Sequence, residues 1–231
     1  VGGGNNPHPG EISLAHNGVL FLDELPEYKR SALEVLRQPL EDRQISVVRN
    51  KLSVTYPASF TLIAAMNPCP CGHYGENNPA HPCLCTPGQV HRYMSRISGP
   101  LLDRIDIQCE IRAVSFEELN DPTPGESSAV MRERVIRARR VQSERFRELA
   151  YRGIHCNAQM TPKMVREYCH LDETSEKTLA FSMEKLGLSA RAYDRILKVA
   201  RTIADLDSSA EIQQKHILEA LNYRKLDREF I

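Results

Sequence analysis

The stretch that decides the fold is Gly18-Val19-Leu20-Phe21-Leu22-Asp23-Glu24. From Gly18 to Leu22 almost nothing is polar, and the residues favour a strand. A continuous apolar run this short reads as a strand buried on both faces, as in a parallel sheet covered by helices. Two carboxylates follow at the carboxyl end of that strand, the end at which open α/β sheets bind ligands. There Asp23 can hold Mg²⁺ through its hydration shell, because Mg²⁺ prefers few carboxylates together with phosphate oxygens. Glu24 can orient and polarise a water for attack on a γ-phosphate. The pattern is the Walker B of nucleoside triphosphatases; the competing reading is a core strand that ends in a solvated acidic turn.

Working outward, residues 1–10 are rich in Gly, Asn and Pro and predict an irregular loop, followed by a short helix or turn over 11–16. Pro26 suits the first turn of a helix whose apolar stripe is Leu33, Leu36 and Leu40, and Pro39 ends or kinks it near Gln38. Residues 45–56 hold two β-rich arms around Arg49-Asn50-Lys51, a hairpin signal. Arg43, Arg49 and Lys51 make that hairpin either a solvated element or a loop that touches phosphate backbones. Residues 60–66 (Phe-Thr-Leu-Ile-Ala-Ala-Met) predict a second buried strand with Asn67 at its carboxyl end. Beside the first strand, Asn67 faces the same crevice as Asp23 and Glu24, where a neutral amide can hydrogen-bond a γ-phosphate or the attacking water. Asn-Pro is equally an ordinary turn starter.

Cys69-Pro-Cys71 and Cys83-Leu-Cys85 flank a turn-rich interval that contains His73 and His81. Four thiols in two close pairs can meet at one tetrahedral Zn²⁺, with either His as a substitute ligand. Neither pair has the usual C-x₂-C spacing, so free or redox-sensitive thiols stand as the alternative. Four thiolates would leave no open position, which argues against a catalytic zinc. Residues 105–111 predict a third strand, preceded by Arg104. An isolated Arg is ordinarily a surface ion-pair residue; in a phosphate-hydrolysing ring it would project into a neighbour's site to stabilise transition-state charge.

Residues 120–128 read as a linker. The helical section after it opens with a long helix over 131–151, carrying Arg132, Arg134, Arg137, Arg139, Arg140, Arg145 and Arg147, with Val135, Ile136, Val141, Phe146 and Leu149 as its core face. Its basic face is solvated or contacts nucleic acid. Thr161-Pro162 starts another helix. A helix from Glu173 stops at Gly187, Ser189 caps the next over 190–205, and a last helix spans 211–223. Arg191 lies in the first turn of the 190–205 helix, where amides and dipole favour phosphate.

The composition sets bounds. At 231 residues there is room for one large domain or two modest ones. Lys+Arg 30 balances Asp+Glu 30, so any basic surface is local. No apolar run approaches 20 residues and no signal peptide is present, which predicts a soluble cytoplasmic protein without a membrane partner. Four of the seven cysteines share one short stretch, pointing to metal or free thiols in a reducing compartment rather than a disulfide framework.

Together these stretches resemble the magnesium-chelatase-like AAA+ ATPases, in the competence-protein (ComM/YifB) group. The matching strings are Gly2-Gly-Gly4, residues 9–26, Asn67-Pro-Cys-Pro-Cys-Gly72, residues 95–106 and residues 189–204. The resemblance implies an α/β fold: a partial AAA+ P-loop-type parallel-sheet core in residues 1–113, a linker in 114–130 and an α-helical lid in 131–231. By resemblance Asp23 and Glu24 are the Walker B pair, Asn67 is sensor 1 and Arg104 the arginine finger acting in trans. Arg191 is sensor 2, Arg96 is a further trans contact, and the hairpin around Arg49 and Lys51 is the helix-2 insert that faces a ring's pore. The implied cofactors are ATP and Mg²⁺, and the implied partner is the chain itself in a ring, usually a hexamer. No G-x-x-x-x-G-K-[ST] occurs in the chain. That absence predicts the carboxyl-terminal part of a longer protein, binding ATP poorly by itself, with two sheet edges unpaired. Three functions compete: a DNA motor of helicase or branch-migration type in transformation or recombination, a chelatase-type ATPase that remodels a protein partner, and a non-catalytic fragment. The cysteine stretch after Asn67 favours the competence group over true chelatase subunits.

Overall fold

The computed structural model describes residues 1–3, 7–49, 52–75, 81–111, 114, 116–120, 123 and 125–224. They divide after Ile105 into two compact units.

The first unit opens with a small antiparallel ribbon, β1 (Gly2–Gly3) on β2 (His8–Pro9). Gly2 has φ +95°, and a Cβ there would lie 2.0 Å from the His8 carbonyl, so the ribbon admits only glycine at this point. After α1 (Glu11–Leu14) comes β3 (Val19–Leu22), then a 3₁₀ turn (Leu25–Glu27), α2 (Arg30–Val35) and α3 (Arg37–Asp42). The break falls at Leu36, three residues before Pro39, since proline has no N–H to continue the ladder. β4 (Gln44–Arg49) and β5 (Leu52–Pro57) form the expected hairpin, in register from Gln44↔Pro57 to Arg49↔Leu52. Along β4, Ile45 and Val47 turn inward while Ser46 and Val48 face out, the alternation of a half-buried strand. β6 (Thr61–Ala64) then pairs parallel with β3, from Val19↔Thr61 to Leu22↔Ala64, and α4 (Pro87–Met94) and α5 (Gly99–Leu102) complete the unit. The core gathers Ile12, Leu25, Leu33, Leu36, Ile45, Ile97 and Leu101, with Leu20 and Leu22 against it.

Two strand expectations are corrected. β3 is not buried on both faces: Val19 and Phe21 are 57% and 58% exposed and Ile63 on β6 is 48% exposed. The β3–β6 sheet has one covered side and one open side among the described residues, because α2, α3 and α5 pack only on the Leu20/Leu22 face. Residues 105–111 do not form a strand. Among the described residues no strand lies beside them to complete a ladder, and the Gln108 amide bonds instead to the Tyr223 carbonyl at 3.0 Å.

The second unit holds α6 (Phe116–Leu119), α7 (Ser128–Arg145), a 3₁₀ segment (Arg147–Arg152), α8 (Pro162–Tyr168), α9 (Glu173–Leu186), α10 (Ala190–Leu206) and α11 (Gln214–Asn222). The caps read from sequence at Thr161, Ser189 and Gly187 are in place, and the structure adds Asp172. The Thr161, Asp172 and Ser189 side chains accept from the amides of Met164, Ser175 and Ala192, and Gly187 closes α9 at φ +60°. Leu179, Ile196, Leu197, Ala200, Ala204 and Ile217 form the centre of the core. α7 departs from expectation. It starts earlier, ends at Arg145, and leaves Val135, Ile136 and Val141 exposed. Ala138, Gln142 and Phe146, spaced four apart, are the residues it buries.

Candidate functional site

The parallel register brings the carboxyl ends of β3 and β6 side by side. The Ala65 amide donates to the Leu22 carbonyl at 2.9 Å, and the Leu25 amide donates back to the Ala65 carbonyl at 3.0 Å. Asp23, Glu24 and Asn67 therefore leave the sheet at one end, all exposed. The Glu24 amide donates to Asp23 Oδ1 at 2.9 Å, which restrains the exposed Asp23 carboxylate. Glu24 itself adopts a left-handed conformation, φ 49° and ψ 48°. For a non-glycine residue this costs about 1–2 kcal/mol, the kind of strain that gathers where a side chain must be aimed.

The arginines divide sharply. Only 9% of the Arg104 side chain is exposed. Its Nη2 pairs with Glu41 at 2.5 Å, Nη1 donates to the Pro100 carbonyl at 2.7 Å and Nε to the Arg37 carbonyl at 3.1 Å. Within this chain it ties α3 to α5. Arg96 is 48% exposed, donating to Glu27 Oε2 at 2.9 Å and to the Pro26 carbonyl at 3.1 Å, close behind the acidic pair in sequence. Arg191 is exposed in the first turn of α10, in the helical unit. Arg43 sits not on the hairpin but at the C-cap of α3, at φ 56°. Arg49 ends β4, and Lys51 lies outside the described residues.

The four cysteines converge. Cys69 Sγ lies 3.3 Å from Cys71 Sγ and 3.8 Å from Cys83 Sγ, and Cys71 and Cys83 are 3.6 Å apart. All four sulfurs, Cys85 included, fall within 4.8 Å of one another. Hydrogen bonds from the backbone of His73 and of Leu84 hold the Cys71 thiol down to about 6. The Cys71 backbone pulls the Cys85 thiol the same way, but burial and the neighbouring thiols outweigh it and push Cys85 up to about 12. His73 and His81 do not join the cluster; their rings stack on each other at 5.7 Å.

One polar centre escaped the reading of the sequence. In the helical unit, Arg145 grips fully buried Asp205 with Nη1 at 2.8 Å and Nη2 at 2.6 Å, and Arg201 Nε approaches the same carboxylate at 3.2 Å. Asn157 bridges Asp205 and Thr202. The available signal was Arg201 and Asp205 four apart on the apolar face of α10. Arg145 itself had been counted with the basic face of α7. No helix among the described residues is long and apolar enough to cross a membrane.

A small parallel sheet with an acidic pair at its carboxyl end, followed by a helical unit, defines a partial AAA+ fold with a helical carboxyl-terminal domain. The chain belongs to the magnesium chelatase ChlI family: residues 1–119 match the profile of magnesium chelatase, subunit ChlI, and residues 125–224 match that of its C-terminal part. It is 48% identical to protein YifB of Escherichia coli K12 over 99% of this chain and 43% of that protein. It is 47% identical to competence protein ComM of Haemophilus influenzae over 99% of this chain and 43% of the relative. A more distant likeness, 24% identity over 96% of this chain and 26% of the relative, is to the maternal DNA replication licensing factor mcm6 of Xenopus tropicalis. The chain thus spans less than half the length of the relatives it matches.

Proposed function

We propose that this chain is part of an ATP-hydrolysing AAA+ ring motor that acts on DNA, with helicase or branch-migration activity in transformation or recombination. The observation that carries the reading is the aiming of Asp23 and Glu24 at the carboxyl end of β3, beside the end of β6 that leads to Asn67. Bound ATP and Mg²⁺ would supply the phosphoanhydride and its charge neutralisation. Asp23 holds the ion's hydration shell, strained Glu24 orients the attacking water, and Asn67 offers a neutral hydrogen bond near it. A phosphate-binding loop from a longer polypeptide completes the site, so the 231 residues by themselves bind ATP weakly and turn it over little. Arg191 is the lid's phosphate contact. Between the two trans candidates, Arg96 needs only surface bonds broken, whereas Arg104 must abandon Glu41 and two carbonyls. The self-partnered ring, the cytoplasmic location and DNA contact by Arg43, Arg49 and Lys51 belong to the same reading. So does a structural Zn²⁺ at the four-cysteine cluster.

The test is ATP turnover by the chain joined to its natural upstream sequence, with and without branched DNA, beside a Glu24→Gln variant. DNA-stimulated hydrolysis that disappears in the variant, with nucleotide still bound, is the expected result. The family's chelatase name supports a second reading, an ATPase that remodels a protein partner. Hydrolysis indifferent to DNA but raised by a protein would select it. No hydrolysis at all would sink both and leave the non-catalytic reading.

A further inference from the structure

Between β6, which ends at Ala64, and α4, which starts at Pro87, the chain runs without a strand or helix among its described residues. Compact domains seldom hold such a loop beyond about 12–15 residues unless something ties it. The tie available here is the sulfur cluster. A tetrahedral Zn²⁺ with Zn–S bonds of about 2.3 Å requires sulfurs about 3.8 Å apart. The observed separations of 3.3, 3.6 and 3.8 Å lie at or just below that edge, and all exceed the roughly 2.05 Å of a disulfide. Cys69 is fully buried, and the two C-x-C pairs approach from the two ends of the loop. The Gly72 amide closes a turn onto the Cys69 carbonyl at 3.0 Å, with Gly72 at φ +88° and nothing within 4 Å of where a Cβ would stand. Backbone hydrogen bonds from His73 and Leu84 reach the Cys71 sulfur, one from Cys85 reaches Cys83, and one from Cys71 reaches Cys85. Outer contacts of this kind orient metal ligands.

The cluster also has a position along the chain that matters. Asn67 stands two residues before Cys69. Directly after Cys85, Thr86 caps α4 in a reciprocal box with Gln89. Whatever joins the four sulfurs therefore fixes the backbone that carries Asn67 at one end and the start of α4 at the other.

We propose that Cys69, Cys71, Cys83 and Cys85 form a tetrathiolate Zn²⁺ site, and that the bound ion positions Asn67 at the carboxyl end of the β3–β6 sheet. The first half stands on the sulfur geometry. The second rests on the ATPase reading given above. Four thiolates close the coordination sphere, so the ion binds no substrate, and its effect is on the loop.

The first measurement is metal content and the visible spectrum of the cobalt-substituted 231-residue chain. One metal per chain and the intense bands of tetrahedral cobalt thiolate are expected, reduced in Cys85→Ser and unchanged in Cys109→Ser, which lies outside the cluster. A wild-type chain that takes up no metal, or gives an octahedral cobalt spectrum, overturns the site whether or not the variants fold. The second measurement is kcat and nucleotide affinity of the native-length protein before chelation, after chelation and after Zn²⁺ is returned, beside Asn67→Ala. A displacement of about 1 Å at a positioned group can lower turnover by about 100-fold. A reversible fall of kcat of that order, with affinity unchanged and no further fall in Asn67→Ala, is expected. Unaltered kcat after metal removal overturns the positioning role and leaves the site. Absence of hydrolysis in the zinc-loaded protein overturns the ATPase reading, and the role of Asn67 with it, while the cobalt spectrum still decides the site.

Discussion

Asp205 is the residue on which the helical unit depends most visibly. It is fully buried, and its carboxylate faces the guanidinium groups of Arg145 and Arg201, 15% and 4% exposed. Breaking a buried pair from one side strands the opposite charge and typically costs about 3–5 kcal/mol. Asp205→Ala should therefore destabilise the helical unit by that order. Hydrogen exchange should quicken at the amides of α10 while those of β4 and β5 keep their protection; equal loss in both places would refute the assignment. Arg145 also shows why residue roles are only partly legible in a sequence. One side of a helix rich in arginine looks uniformly solvated until Asp205, sixty positions away, claims one of them. Arg104 was singled out correctly as unusual, but its partner Glu41 belongs to another element, and no local spacing announces it. The place of the Asp23-Glu24 pair was legible because the pair directly follows its strand; the left-handed backbone of Glu24 was not.

At the scale of elements, caps, turns and the β4–β5 and β3–β6 pairings were legible, and the segment after Arg104 was not. Ser and Thr before helices, glycine after them and proline in first turns act through neighbours a few residues away, so Thr161, Ser189 and Gly187 all fell where expected. The Asp172 cap carries a pH dependence. The Ser175 hydroxyl near it and the Ser175 amide, which donates to Asp172 Oδ1 at 2.7 Å, hold the carboxyl below its ordinary range. A depressed carboxylate stabilises the fold at pH values above its unfolded pKa, and that contribution is lost as pH falls through the folded value. In Asp172→Asn the acid limb of a stability–pH curve, followed by urea midpoints below pH 5, should be shallower than in the wild type. An unchanged limb would remove Asp172 from the account. The 105–111 segment failed as a strand for the opposite reason. Its residues suit one, but a strand exists only with a partner, and a partner is not a property of the segment. α7 failed on its core face because packing selected Ala138 and the amide of Gln142, which reaches the Asn157 amide at 3.1 Å, over the larger Val135 and Ile136.

At the largest scale, the two strand pairs of the α/β unit differ in how far along the chain their contacts reach, and this sets an order in time. The β4–β5 hairpin joins neighbours, Arg49 to Leu52, and hairpins of this kind close in about 1–10 μs. The β3–β6 pair joins Leu22 to Ala64 across everything between, including that hairpin, and parallel pairing at such separation waits for the intervening chain to be ordered. In pulse-labelled refolding the Val47 and Val54 amides should thus gain protection before the Ala65 amide that bonds to Leu22; simultaneous protection would contradict the order. The sheet end that carries Glu24 and leads to Asn67 is then the last part of the α/β unit to come into being. A molecule caught midway through folding has its hairpin while its acidic pair and Asn67 are still apart.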